Sequence, residues 1–267
     1  MIHIPDPQGS MPLDQIAQTL DAAARHGRAT PQVSGTRTLS VEDAYAVQAM
    51  SIQRRIDRGE RLVGIKMGLT SLAKMAQMGV SDVVWGRLTD AMTVRNGDVV
   101  DLAGLIHPRV EPEVAFLMKH ALSGPATREE ALAAIEAVCP ALEIIDSRYE
   151  NFRFDLADVI ADNASSARYV LGEWRAPTLE VADRLMTMSI DGLTVRTGSS
   201  SDILGHPLDS LAAGARLVEQ SGLRLEPGWI VLAGGATAAE PLSPGRTIRL
   251  DVEGLGSVQF TTAGSPA

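Results

Sequence analysis

Residues 107–116 read H-P-R-V-E-P-E-V-A-F, and residues 141–146 read A-L-E-I-I-D. Both stretches are short and largely apolar, which is typical of strands in the interior of a sheet. Side chains on a strand alternate between its two faces, so Glu111 and Glu113 are expected to point to the same side. Glu143 lies between apolar neighbours in the second stretch. The sequence therefore predicts two strands that carry three carboxylates in apolar surroundings.

These three glutamates have two interpretations. Burying a carboxylate among apolar residues is costly unless a partner compensates the charge. A hard divalent cation is a natural partner for three converging carboxylates, because such ions prefer oxygen ligands. Alternatively, each glutamate faces water at a sheet edge, which is the commoner fate of charged side chains. The residues alone leave both interpretations open.

Composition excludes several classes of partner. The chain has 267 residues, of which 45% are hydrophobic and 4% aromatic, and its net charge is −9. An acidic protein is a poor partner for nucleic acid or an anionic membrane. An anionic substrate would need a cation or local lysines and arginines. The single cysteine, Cys139, cannot form a disulfide within the chain, and no signal peptide or long apolar run is visible. We therefore expect a cytoplasmic protein.

The pattern of elements divides the chain near residue 60. Residues 1–60 look mainly helical, with one helix between Pro12 and Gly27 and another between Ser40 and Gly59. Residues 61–267 mix strands and helices without a regular βαβ period, which favours an α+β fold with a large mixed sheet curled on itself. Further expected elements are a helix at 71–78, a capped helix from Thr127, a helix at 209–220, a hairpin turning near Gly254 and a frayed tail from Thr261.

Lys66 is the second candidate for chemistry. It lies in G-I-K-M-G-L between Ile65 and Met67. An ammonium group in apolar surroundings has a lowered pKa and can exchange protons near neutral pH. The alternative is a lysine at a strand edge whose amine reaches water.

A polar segment at residues 159–168, V-I-A-D-N-A-S-S-A-R, is the third candidate. Its polar side chains could line a pocket, or they could form a helix cap and a turn; they are Asp162, Asn163, Ser165 and Ser166. Other site types lack support, because the sequence contains no phosphate loop, dinucleotide fingerprint, zinc-binding histidine spacing or G-x-S-x-G elbow.

Several long motifs in the same order mark a family resemblance. They are G-I-K-M-G-L-T-S, H-P-R-V-E-P-E-V-A-F, A-L-E-I-I-D-S-R, I-A-D-N-A-S-S-A-R and L-G-H-P. From about Thr38 to near its C-terminus, the chain resembles the 2-keto-4-pentenoate hydratase and 4-oxalocrotonate decarboxylase group of the fumarylacetoacetate hydrolase superfamily. The resemblance implies a mixed β-roll core at 61–267 with a smaller N-terminal helical part.

The resemblance also implies roles for individual residues. Glu111, Glu113 and Glu143 would hold Mg²⁺ or Mn²⁺, and Lys66 would be the catalytic lysine. The candidate substrate-binding residues are Ser165, Asn163 and Leu88.

Two segments resemble the decarboxylases more than the hydratases, namely 66–80 and 231–239, although Trp85 departs from the expected smaller residue. The implied reaction is metal-dependent decarboxylation of 2-oxohex-3-enedioate, a dicarboxylic oxo-acid, to 2-hydroxypenta-2,4-dienoate. The implied partners are further copies of the chain and the hydratase of the same pathway. The alternatives are a hydratase, a C–C bond hydrolase and a non-catalytic subunit that stabilises a hydratase.

Overall fold

A computed structural model of the chain describes residues 11–35, 37–71, 75 and 82–265. The helices are α1 (Leu13–His26), α2 (Val41–Asp57), α3 (Arg128–Ala134), α4 (Leu156–Ala161) and α5 (Pro207–Gln220). The strands are β1 (Leu62–Gly68), β2 (Val84–Thr89), β3 (Thr93–Val94), β4 (Val99–Asp101), β5 (Arg109–Met118), β6 (Ile135–Ile145), β7 (Ser166–Leu171), β8 (Leu185–Ile190), β9 (Leu193–Ser199), β10 (Ile230–Leu232), β11 (Glu240–Pro241), β12 (Thr247–Val252) and β13 (Gly256–Ala263).

The larger sheet is mixed and carries the candidate site. Its strands follow the order β2-β1-β10-β5-β6-β7-β3, and β11 also pairs with β5. Strands β1 and β10 are parallel, whereas β5 pairs antiparallel with both β10 and β6. The β5–β6 register sets Glu111 directly opposite Glu143. The two predicted strands are therefore neighbours, and their carboxylates lie side by side.

The alternation of side chains along β5 separates the core from the site. Val110, Val114 and Phe116 are fully buried in the main apolar cluster. That cluster also contains residues of the smaller sheet, whose order is β4-β13-β12-β8-β9. Glu111 and Glu113 alternate with these apolar positions and so point to the other face of the larger sheet. Packing of the two sheets thus fixes which face of β5 is left for the glutamates.

The N-terminal helices cover the edge of the larger sheet near β2. A second apolar cluster joins Ile16 and Leu20 of α1, Val47 of α2 and Ile160 of α4. In addition, the buried Gln48 of α2 donates hydrogen bonds to the backbone oxygens of Trp85 and Ile160, at 3.0 and 2.9 Å. This packing holds α4, and the turn that follows it, against β2.

Most predicted elements are present. The mixed α+β fold with curled sheets and a small N-terminal helical part is confirmed. The predicted tail from Thr261 is wrong, because β13 continues to Ala263 and pairs with β4. The helix predicted at 71–78 falls largely outside the described residues. No described helix has the length and apolar character needed to cross a membrane.

Candidate active site

Three buried glutamates converge on one point beside the β5–β6 pair. Glu111, Glu113 and Glu143 each offer a carboxylate oxygen, and these oxygens all lie within 4.8 Å of one another. Glu113 and Glu143 are fully buried, and Glu111 is 9% exposed. Glu113 Oε2 accepts a hydrogen bond of 2.7 Å from the backbone N–H of Gly234. Within the described part of the chain, Glu113 Oε1 and Glu143 Oε1 accept no hydrogen bond.

Two glycines allow the loop after β10 to approach the glutamates. Gly234 has a φ of +105°, and a Cβ atom there would lie 2.3 Å from the hydroxyl oxygen of Thr70. A Cβ atom on Gly235 would lie 2.9 Å from the carboxyl carbon of Glu111. Side chains at these positions would therefore push the loop away, and Glu113 would lose its backbone donor.

Lys66 enters the same site from β1. Its Nζ lies 2.9 Å from Glu143 Oε2 and donates a hydrogen bond of 3.1 Å to the backbone oxygen of Ala164. Ile65 and Met67 point to the opposite face of β1, where they belong to the main apolar cluster. The side chain of Lys66 is only 3% exposed. Strand alternation thus turns the ammonium group inward.

The charges of the site shift one another's proton affinities. Burial lowers the pKa of Lys66, but the negative charges of Glu143, Glu113 and Glu111 raise it, and the pKa ends above its ordinary value. Burial raises the pKa of Glu113, as does the charge of Glu143, and the result lies well above the usual range. Burial also raises the pKa of Glu143, although Lys66 opposes that shift. These raised pKa values reflect burial and mutual repulsion of the carboxylates that Lys66 alone does not offset.

A strained turn after α4 supplies polar groups to the site. Asn163, Ala164 and Ser165 have φ values of 53°, 48° and 57°, in the left-handed region that residues with a Cβ rarely adopt. This turn directs the Ala164 carbonyl to Lys66 and leaves Ser165 Oγ buried without a hydrogen-bond partner among the described residues. Gly86 of β2 makes the approach possible, because a Cβ atom there would lie 2.5 Å from the Asn163 backbone oxygen.

Other polar residues of the segment hold the turn. The side chain of Asn163 accepts a hydrogen bond from the backbone N–H of Arg87 at 2.7 Å and donates one to its carbonyl oxygen at 2.9 Å. Asp162 forms a buried ion pair with Arg148. Burial raises the pKa of Asp162 to about 6, although the charge of Arg148 opposes the shift.

The predicted substrate-binding residues occupy different positions. Ser165 lines the main cavity. Asn163 uses its side chain to join the turn to β2, and Leu88 is fully buried in an apolar cluster with Ala115, Cys139 and Leu232. Neither Asn163 nor Leu88 is among the described residues at the cavity wall. For these two, contact with a substrate stays a prediction.

A cavity of about 620 Å³ opens above the glutamates. Lys66 and Glu111 supply polar groups to its lining, and apolar parts of the lining come from residues such as Ile145, Phe152, Phe154 and Val159. The described lining also contains two arginines, Arg109 and Arg153. Sequence reasoning did not select Arg109, although it precedes Glu111 by two residues and so faces the same side of β5. Phe152 gave no signal in the sequence.

The donor set suits a hard divalent cation. Three carboxylates meet, two of their buried oxygens lack a hydrogen-bond donor within the described residues, and nitrogen or sulfur ligands do not take part. Mg²⁺ and Mn²⁺ prefer such oxygen ligands. The cavity would leave room for a small ligand next to the ion, within reach of Lys66 and Ser165.

Comparisons with known proteins agree on the family. The sequence model of the fumarylacetoacetate (FAA) hydrolase C-terminal family matches residues 63–263. The chain is 54% identical to a 4-oxalocrotonate decarboxylase of Pseudomonas sp., over 95% of this chain and 99% of the relative. A 2-hydroxyhexa-2,4-dienoate hydratase of Comamonas testosteroni is 36% identical, over 91% and 96% of the two chains.

A solved structure is similar along almost the whole chain. It is the 4-oxalocrotonate decarboxylase of Pseudomonas putida G7 complexed with magnesium and adipate, which has a TM-score of 0.89, 40% identity and coverage of 94% of this chain and 97% of that one. The chain therefore belongs to the fumarylacetoacetate hydrolase family.

Proposed function

We propose that this chain is a metal-dependent carboxy-lyase that converts 2-oxohex-3-enedioate (4-oxalocrotonate) to 2-hydroxypenta-2,4-dienoate and CO2. The observation that carries the proposal is the convergence of three buried glutamates and Lys66 beside a cavity that Lys66 and Glu111 line. The identity of 54% to a 4-oxalocrotonate decarboxylase over almost the full length favours this substrate.

Glu111, Glu113 and Glu143 are the proposed ligands of Mg²⁺ or Mn²⁺. When bound, the ion supplies a Lewis acid that draws electron density toward the 2-oxo acid group of a substrate. It also lets a protein of net charge −9 accept a dianion, because the ion offsets the negative charge of the three carboxylates. The magnesium in the similar structure supports this assignment.

Lys66 is the proposed catalytic residue. In the reaction, the bond between C5 and C6 breaks and its electron pair forms the C4–C5 double bond. The C3–C4 double bond shifts to C2–C3, and the 2-oxo oxygen gains the negative charge and then a proton. A charged ammonium group beside this oxygen stabilises the charge as it develops. Lys66 can also donate the proton that forms the enol.

Ser165 is the proposed hydrogen-bond donor to the substrate. Its buried hydroxyl lacks a partner in the described part of the chain, and an unpaired buried hydroxyl is costly unless a ligand satisfies it. Asn163 acts on the same position indirectly, because its side chain holds the turn on β2. Leu88 would shape the site from the apolar layer next to it.

A product assay separates the decarboxylase from the hydratase. Purified protein with Mg²⁺ is expected to release one CO2 for each 2-oxohex-3-enedioate consumed, and to add water to 2-hydroxypenta-2,4-dienoate slowly or not at all. Rapid hydration of the dienoate without CO2 release from the diacid would favour the hydratase, the activity of the relative from Comamonas testosteroni. Lys66→Ala is the control, since it should slow either chemistry by about 10²–10⁴.

Assembly is a separate proposal. We expect a homo-oligomer and, beyond that, a complex with the hydratase that consumes the dienoate product. Light scattering of the purified chain tests the first expectation, and co-purification with that hydratase tests the second. A monomer at micromolar concentration would contradict the first.

A further inference from the structure

Arg109 is a charged side chain in the cavity that the proposed chemistry does not use. It lies on β5 two residues before Glu111 and lines the same cavity. Several other arginines have acidic partners; for example, Arg128 pairs with Asp209 at 2.5 Å, and Arg224 pairs with Glu226 at 2.7 Å. Within the described residues, no carboxylate oxygen lies within 4.0 Å of the guanidinium of Arg109. Among the described residues, this positive charge in the cavity therefore has no ion-pair partner.

An aromatic ring holds this charge in place. The guanidinium carbon of Arg109 lies 4.3 Å from the centre of the Phe152 ring, close enough for a cation–π interaction. Phe152 is itself fixed by edge contacts with His107 and Phe154, whose ring centres lie 6.2 and 5.3 Å away. Its φ is +54°, in the left-handed region, and packing must maintain this strained geometry. The ring thus presents the guanidinium toward the cavity.

The spacing between Arg109 and the glutamates fits a six-carbon diacid. Residues two apart on a strand have Cα atoms about 6.7 Å apart, so the side chains of Arg109 and Glu111 leave β5 at points separated by about this distance. The end carbons of a six-carbon diacid are joined by five bonds of about 1.5 Å and lie roughly 6 Å apart when extended. A ligand whose first carboxylate lies at the glutamate end would therefore bring its second carboxylate near Arg109. A planar guanidinium matches a carboxylate with two parallel hydrogen bonds.

We propose that Arg109, supported by Phe152, binds the second carboxylate of the substrate and makes the site prefer 2-oxo diacids to 2-oxo monoacids. This inference rests on the proposed function. The carboxylate that Arg109 binds is the one that leaves as CO2, and CO2 carries no charge. The interaction is therefore stronger in the ground state than in the transition state, and it lowers KM rather than raising kcat.

The test uses two probes that differ only in the distal group. 2-Oxoadipate and 2-oxohexanoate share the 2-oxo acid end and the chain length, but only the first has a second carboxylate. Titration calorimetry with Mg²⁺ present should show that the native protein prefers the diacid by about 10- to 100-fold. Arg109→Met should remove that preference and leave the affinity for 2-oxohexanoate within about threefold. Arg224→Met, at an exposed arginine outside the described lining of this cavity, is the matched control.

Two more variants test the contributions of the aromatic ring and of the second cavity arginine to diacid binding. Phe152→Leu removes the supporting ring but keeps the charge, and it should weaken diacid binding several-fold with the monoacid unaffected. Arg153→Met removes the other cavity arginine, which is exposed, and should keep the preference for the diacid. In turnover of 2-oxohex-3-enedioate, Arg109→Met should raise KM and leave kcat unchanged or higher.

The outcomes are distinct. If the native protein binds both probes equally, or Arg109→Met weakens both equally, the role of Arg109 is overturned while the proposed function stands. If Arg153→Met removes the preference for the diacid and Arg109→Met keeps it, the role of Arg109 is overturned as well. If the native protein with Mg²⁺ binds neither probe, the proposed function fails and this inference fails with it.

Discussion

At the scale of single residues, Lys66 is the group whose removal should lower kcat most. Lys66→Ala is expected to lower kcat by about 10²–10⁴, the usual contribution of a positioned acid–base group. Lys66→Arg should restore little, because a guanidinium stays charged and is wider than an ammonium. Steady-state kinetics measures both variants, and Lys119→Ala, at an exposed lysine, is the matched control. Near-normal turnover of Lys66→Ala would mean that the lysine only balances charge.

The substitution Glu113→Gln tests the metal site without changing the shape of the side chain. Glu113→Gln keeps the side-chain volume and an oxygen that can accept the hydrogen bond from Gly234, but it removes a charge. We expect Mg²⁺ affinity to fall about a hundredfold or more, since losing groups that merely orient metal ligands already costs about 10- to 100-fold. Calorimetric titration with Mg²⁺ gives the affinity. Glu136→Gln, at an exposed position of β6, should bind Mg²⁺ normally. Unchanged affinity in Glu113→Gln would exclude Glu113 as a ligand.

At the scale of elements, the turn at 163–165 depends on the absence of a side chain on β2. Gly86→Ala would place a methyl group 2.5 Å from the backbone oxygen of Asn163, so strand and turn must separate. We expect a loss of about 1–3 kcal/mol of stability, as in other overpacked sites. Turnover should also fall, because the turn carries the groups that meet Lys66 and the substrate. Thermal unfolding and kinetics measure the two effects.

A second glycine gives the control for that experiment. A Cβ atom on Gly35 would meet no atom within 4 Å, and Gly35 has no left-handed φ. Gly35→Ala should therefore leave both stability and turnover near those of the native protein. If Gly86→Ala behaves like Gly35→Ala, the close packing of the turn on β2 is not required.

At the scale of the whole molecule, the carboxylate cluster should link metal binding to folding. Three converging carboxylates destabilise the folded chain by repulsion, and a bound cation removes that cost. With Mg²⁺ at about 100 times its dissociation constant, stability should rise by about 2.7 kcal/mol. A chain of this size should then melt roughly 5–10 °C higher. Differential scanning calorimetry with Mg²⁺, and again with excess chelator, measures the shift. The same melting temperature under both conditions would contradict the linkage.

The sequence by itself determined the features that depend on local geometry. Strand alternation predicts that Glu111 and Glu113 share a face, and the apolar flanks of Lys66 predict that its neighbours point away from it. The choice of decarboxylase over hydratase, based on family resemblance, is also supported by the identities of 54% and 36%. These inferences succeed because strand alternation follows from backbone dihedral angles and the family resemblance follows from aligned motifs. Neither depends on how distant parts of the chain pack together.

Only the tertiary structure decided which distant residues meet in the site. The Ala164 carbonyl reaches Lys66 across 98 residues of sequence, and Phe152 supports Arg109. From the sequence, Asp162 and Asn163 could have been either pocket or turn residues. In the structure, both side chains hold the turn in place. These contacts depend on sheet order, on the β5–β6 register and on two strained left-handed segments. Packing of the whole molecule maintains these left-handed conformations against the local preference of the residues that adopt them. No local sequence pattern therefore predicts them.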